Sequence, residues 1–103
     1  MMPKVENLFD NLPFLVDGEE FSELLRCKNV VIERIVSSDR PYHKTYNQDH
    51  HEWIILLEGE TQLRVRNDMV NLKAGDYFFI PAQTPHRVLK TSPNCIWLAI
   101  HIY

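Results

Sequence analysis

The sequence predicts an all-β domain, a barrel or sandwich, entered through an irregular arm and one short helix. Three observations carry that prediction. Short β-branched and aromatic runs recur from Val30 to the end of the chain. Turn signals such as Glu58-Gly59-Glu60, Asn67-Asp68 and Lys73-Ala74-Gly75-Asp76 part them, at intervals of about 8–12 residues, as in a sandwich or barrel. Several runs are apolar at every position, so both of their faces must be covered.

The elements follow in order. Residues 1–17 are irregular, punctuated by Pro3 and Pro13, and Asp17-Gly18 is a turn or cap. Glu19–Arg26 places Phe21, Leu24 and Leu25 on one helical face, with acids in the first turn and Arg26 at the end. That pattern predicts a helix of about two turns. Val30–Val36 is β-branched and fits a strand. Tyr42–Gln48 is a second, mostly polar strand after the loop that ends at Pro41. Trp53–Leu57 is apolar throughout. Thr61–Arg66 alternates, with Leu63 and Val65 on one face, as a half-buried strand does. Asn67-Asp68 turns the chain into the short return strand Met69–Leu72. Gly75 is expected at positive φ in the next turn. Tyr77–Ile80, His86–Lys90 and Cys95–Tyr103 complete the set. The arm and helix of residues 1–29 are expected to pack on a barrel of residues 30–103.

Composition bounds the function. A chain of 103 residues, 45% hydrophobic and 24% charged, is one ordinary globular domain. The net charge of −3 and the lack of any Lys/Arg block exclude a nucleic-acid or anionic-membrane surface. No apolar stretch approaches the ~20 residues of a membrane span. The apolar patch Asn11–Val16 is interrupted by Pro13 and does not read as a secretory leader. Cys27 and Cys95 lie far apart, in no CxxC spacing, and read as reduced thiols. These features place the protein in the cytoplasm.

The stretch Tyr46–Gly59 is the first candidate site. It sets Tyr46, Gln48, His50, His51 and Glu52, five groups able to bind a metal or exchange protons, directly before the apolar run Trp53–Leu57. Polar groups against a buried strand are costly unless they are paired or bind something. His101 stands out for the same reason. In a regular strand it shares a face with Trp97, Ala99 and Tyr103, where an unpaired imidazole costs on the order of 1–3 kcal/mol. It is either a satisfied core histidine or a pocket residue. His43 reads as surface, and His50 and His51 as solvated turn residues or inward-facing groups.

These spacings resemble the cupin superfamily, small barrels of the double-stranded β-helix or jelly-roll kind. The family's first motif is G-x5-H-x-H-x3,4-E-x6-G, and Glu52 and Gly59 match its second half. Its two histidines fall on Tyr46 and Gln48, and its leading glycine is missing. The second motif, G-x5-P-x-G-x2-H-x3-N, is followed by Gly75, Pro81 and His86, with Gln83 for its second glycine and Lys90 for its asparagine. The resemblance covers roughly residues 30–103.

It implies a metal site in the barrel mouth. Glu52 and His86 carry over unchanged, Gln48 stands as a third ligand through its side-chain carbonyl, and His50 or His51 is an additional candidate. A mixed N/O site suits Fe, Mn, Ni, Zn or Cu, and no organic cofactor is implied. The competing role for Glu52 and His86 is a buried hydrogen bond that supports the barrel. Tyr46 and His101 are the candidates for proton transfer or substrate orientation.

The function expected is binding of a small polar molecule in the barrel through a divalent metal. Oxygenase-type chemistry is placed ahead of isomerase-type. The alternatives are a non-catalytic binding or sensing module and a metal-free structural barrel. The consecutive aromatics Tyr77, Phe78 and Phe79 and the two-faced Trp53–Leu57 run leave apolar outer surface to cover. A homodimer is therefore expected.

Overall fold

A computed structural model describes residues 2–103. Eight antiparallel strands form two sheets: β1 (Glu19–Cys27), β2 (Val30–Ser37), β3 (His51–Glu58), β4 (Glu60–Val65), β5 (Asp68–Lys73), β6 (Tyr77–Ile80), β7 (His86–Thr91) and β8 (Cys95–Ile102). The larger sheet runs β1-β2-β8-β3-β6 and the smaller β5-β4-β7. Among the described residues there is no helix long and apolar enough to cross a membrane.

Strand alternation sorts the side chains. On β3, Glu52, Ile54 and Leu56 are buried inward, while Trp53, Ile55 and Leu57 are half-buried on the outside. On β8, Cys95, Trp97, Ala99 and His101 all point inward and are buried. With Leu63, Leu72 and Ile80 the apolar members form one core between the sheets. Each fully buried leucine or isoleucine stabilises it by about 1.5–3 kcal/mol.

The expected helix is a strand. Glu19–Cys27 pairs with β2 from Glu19↔Ser37 to Cys27↔Val30, and the register slips between Glu23 and Leu25. The slip explains the misreading. Leu24 is an extra residue in a bulge, so Phe21 and Leu25 fall on opposite faces although their spacing is helical. A helix this short is marginal alone, whereas the edge of β2 supplies a ladder of hydrogen bonds. The expected strand Tyr42–Gln48 shrinks to a single bridge, Tyr46↔His86.

The arm lies across the outer face of β2. Arg34, on that face, is buried and donates to the backbone carbonyls of Leu8 and Asp10 at 2.9 and 2.8 Å. Both cysteines are free thiols, Cys27 exposed and Cys95 buried.

Candidate functional site

The site forms where the inward faces of β1, β2, β3, β7 and β8 meet the loop before β3. Glu52 is the first inward residue of β3 and lies across from His101 on β8 and Ile80 on β6. It is 6% exposed. Gln48 donates its amide N–H to Glu52 Oε1 at 2.8 Å. The Gln48 backbone carbonyl accepts the Gln83 N–H at 2.6 Å. Gln83 occupies the position of the second motif glycine and keeps a left-handed φ of 60°.

His86 opens β7 and exchanges two backbone hydrogen bonds with Tyr46, at 2.8 and 2.9 Å. Its Nδ1 lies 2.9 Å from the Thr84 carbonyl. A carbonyl can only accept, so Nδ1 carries a proton, and it is Nε2 that the neutral form of the ring presents as an acceptor. Nε2 stands 3.8 Å from Glu52 Oε1. Tyr46 stacks on the His86 ring with centroids 5.8 Å apart. Burial, followed by the nearby carboxylates, pushes the Tyr46 hydroxyl up, so it remains a proton donor at neutral pH.

A second cluster adjoins the first. His101 Nε2 lies 3.1 Å from Glu33 Oε1, and its Nδ1 lies 2.9 Å from His50 Nε2. The carboxylate only accepts, so the His101 proton sits on Nε2. The hydrogen bond to Glu33 raises the His101 pKa, whereas burial and then the adjacent His101 lower that of His50. His50 also stacks on Tyr103 at 4.1 Å.

The pair therefore titrates on opposite sides of the free-histidine value of about 6.5. An NMR titration of the imidazole carbons is expected to show His101 charging first as pH falls and His50 last. The Glu33–His101 contribution to stability is complete below the free-histidine value and is lost as pH rises through the higher His101 value. For His50 the sign reverses: its contribution is present above the free value and is lost as pH falls through the lower one. In Glu33→Gln the His101 midpoint should drop. An unchanged midpoint would contradict the pairing.

These groups surround a cavity of about 100 Å³. Tyr46, Gln48, Glu52, His86 and His101, the sequence candidates, all line it. His50 does not line it and stands behind His101. His51 is exposed, accepts the Ala82 N–H on Nδ1 at 2.9 Å and packs against Phe79. Neither supplies a second imidazole beside Glu52. His43 is exposed.

Two titratable lining residues escaped the sequence reading, Glu19 and Glu33. Glu33 had a signal, a lone carboxylate between Val31 and Ile35 on one strand face. Glu19 was hidden by the helical reading of its segment.

The metal that the family implies has a partial donor set here. Among the described residues no group of three His, Cys, Asp or Glu could hold an ion. Two donors do fit: the free His86 Nε2 and the Glu52 carboxylate. The second hydrogen bond of His86, to a backbone carbonyl, is also the support typical of a ligating histidine. Gln48 shows Glu52 its N–H, and turning the amide over would present its oxygen instead.

The family profile described as Cupin domain matches residues 37–101. The chain belongs to the cupin superfamily. This cupin is similar over 97% of its length, and 98% of the other chain, to a Ralstonia eutropha JMP134 protein provisionally named a mannose-6-phosphate isomerase, with 32% identity and a TM-score of 0.88. The fold is shared with KdgF from Halomonas sp., at 12% identity and TM-score 0.76, covering 84% and 80% of the two chains. It is shared too with an RmlC-like cupin from Shewanella frigidimarina NCIMB 400, at 20% identity and TM-score 0.75, covering 82% and 76%. No curated protein sequence matches the chain.

Proposed function

We propose that this cupin binds a small polar molecule in the barrel cavity, with its polar end held by Gln48, Glu52 and His86. One observation carries the reading. A buried carboxylate and an imidazole of fixed tautomer, each held in place by a neighbour, border a mostly apolar cavity, the composition of a small-molecule site. The residues that hold the edge come from two loops and two strands, and their hydrogen bonds set it before any ligand arrives.

A second reading places a divalent ion at the same edge. It rests on the His86 Nε2 lone pair facing Glu52. The ion would be held by His86 Nε2, Glu52 and the Gln48 side-chain carbonyl, and Fe, Mn, Ni, Zn or Cu would suit such a set. Once bound it would act as a Lewis acid toward a ligand oxygen.

Of the two enzyme classes, the likeness to the Ralstonia protein supports isomerase chemistry over oxygenase chemistry. An isomerisation moves a proton, and His86 Nε2 can accept one while the Tyr46 hydroxyl can donate one. A bound molecule with a C–H beside a carbonyl tests this. If the site isomerises the molecule, that hydrogen exchanges with deuterium oxide, and His86→Ala stops the exchange. Retention of the hydrogen by a saturating ligand would make the protein a binding module.

We also propose a homodimer. Leu25, Ile32, Ile100, Trp53 and Phe79 pair in one outward row across the five strands of the larger sheet. Phe79 and Leu25 are each 50% exposed and Tyr77 64%. A row of that width is the kind of apolar patch that a second copy covers. Light scattering at tens of micromolar should give twice the chain mass, and Trp53→Glu should halve it. A monomer would contradict the proposal. The free thiols support a reducing, cytoplasmic setting.

A further inference from the structure

The cavity carries two carboxylates that belong to no candidate metal-ligand set. Glu19 on β1 accepts the Ser37 hydroxyl on Oε2 at 2.7 Å, and Ser37 accepts the Trp97 indole N–H at 3.0 Å. Glu33 on β2 holds His101 through Oε1 at 3.1 Å. With Glu52 they put three carboxylates on one small cavity, and neither Lys nor Arg is among its lining residues. Side-chain donors engage Glu33 and Glu52 through Oε1. Among the described residues no hydrogen bond reaches the second oxygen of either. Burial pushes the Glu19 carboxyl up, and only the Ser37 hydroxyl and the Tyr42 backbone work against it, with no neighbouring cation.

The consequences for a ligand follow from charge and hydrogen bonding. A carboxylate or phosphate in this space would meet like charges with no lysine or arginine to offset them, and its oxygens could give nothing to oxygens that only accept. A ligand ending in N–H or O–H groups fills the open lone pairs. Glu33 has His101 for a partner, whereas Glu19 has no neighbouring cation, and a positive end supplies that counter-charge. The rest of the lining is apolar, and Phe21, Tyr46 and Trp97 give it aromatic surface that tolerates an alkylammonium group.

We infer that the cavity takes a small molecule with an apolar body and an amine end, and rejects its carboxylate and phosphate counterparts. The inference rests on the small-molecule reading of the same cavity and narrows it.

The test uses three probes of one carbon skeleton at neutral pH: isobutylamine, isobutanol and isobutyrate. Each is titrated into the full chain as purified while the two tryptophan indole N–H signals are followed by NMR. Trp97 lines the cavity and is two hydrogen bonds from Glu19, whereas Trp53 on the outer sheet face serves as the internal control. The amine should shift the Trp97 signal saturably at the lowest concentration, the alcohol at a higher one, and the acid at least about tenfold above the amine. Glu33→Gln should weaken the amine more than the alcohol, because it removes a charge while keeping one acceptor oxygen.

Isobutyrate binding as tightly as the amine, or isobutanol matching it, would overturn the inference while leaving the small-molecule reading in place. If none of the three moved the Trp97 signal, both readings would be overturned.

Discussion

A divalent ion bound at the Glu52–His86 edge is expected to raise the thermal midpoint of the wild-type protein steeply, and neither His86→Ala nor Glu52→Ala should show the rise. The size follows from linkage. An ion present at about 100 times its dissociation constant stabilises the fold by roughly 2.7 kcal/mol. For a domain of this length about 1 kcal/mol moves the midpoint by 4–8 °C, so a shift of roughly 10–20 °C is expected, reversed by chelator.

The variants separate site from scaffold. If the pair served only as a hydrogen bond supporting the barrel, His86→Ala would lose the same stability with or without chelator. For an ion site, chelator alone reproduces much of the loss. A rise that persists in both variants would place the ion elsewhere. Its absence in the wild type would leave Glu52 and His86 to hold a ligand directly.

Gly59→Ala should be the most damaging single-methyl change at the family's motif positions, and Gly75→Ala a mild one. Both glycines have positive φ, 96° and 94°. A left-handed alanine costs about 1–2 kcal/mol at either. The surroundings then separate them. A Cβ on Gly59 would lie 2.6 Å from Cys95 Sγ, 2.8 Å from Ser92 Oγ and 3.2 Å from the Cys95 Cα, while one on Gly75 meets nothing within 4 Å.

The atoms it would displace hold the β3–β4 turn. Ser92 Oγ accepts the Glu60 N–H at 2.9 Å, and Cys95 Sγ donates to the Glu60 carbonyl at 3.2 Å. Overpacking a filled site adds about 1–3 kcal/mol. Urea denaturation should therefore show a total loss of about 2–5 kcal/mol for Gly59→Ala and about 1–2 for Gly75→Ala. Equal losses would contradict the close-packed turn.

The two glycines also mark what could be read without a structure. Gly59 and Gly75 sit where turn chemistry and the cupin motifs require them, and seven of the eight strands follow from alternation and turn spacing. The eighth did not, because the bulge at Leu24 gives a strand the apolar spacing of a helix. Local pattern has no means of seeing the β2 edge that decides the matter. The loss propagated to the site: with Glu19 assigned to the first turn of a helix, a cavity carboxylate disappeared from view.

Glu52, Gln48, Tyr46, His86 and His101 were legible because each is polar beside an apolar strand or at a motif position. The direction in which His50 and His51 point was not, since it depends on partners distant in sequence, His101 and Tyr103 for one and Ala82 and Phe79 for the other. Gln83 is a subtler case. It breaks the motif glycine yet keeps the glycine's left-handed backbone, and its N–H holds the Gln48 backbone carbonyl. The substitution alters the residue while preserving the turn that positions the site.

The most direct test of the account is a two-dimensional NMR screen of the wild-type chain and Glu52→Leu against a set of metabolite-sized amines, alcohols and sugars. The account predicts saturable shifts confined to the Trp97 indole and to the backbone signals of residues 48, 52, 86 and 101, absent in Glu52→Leu while its spectrum remains folded. Shifts that leave those signals untouched, or that persist unchanged in Glu52→Leu, would contradict the assignment of the Gln48–Glu52–His86 edge as the binding site.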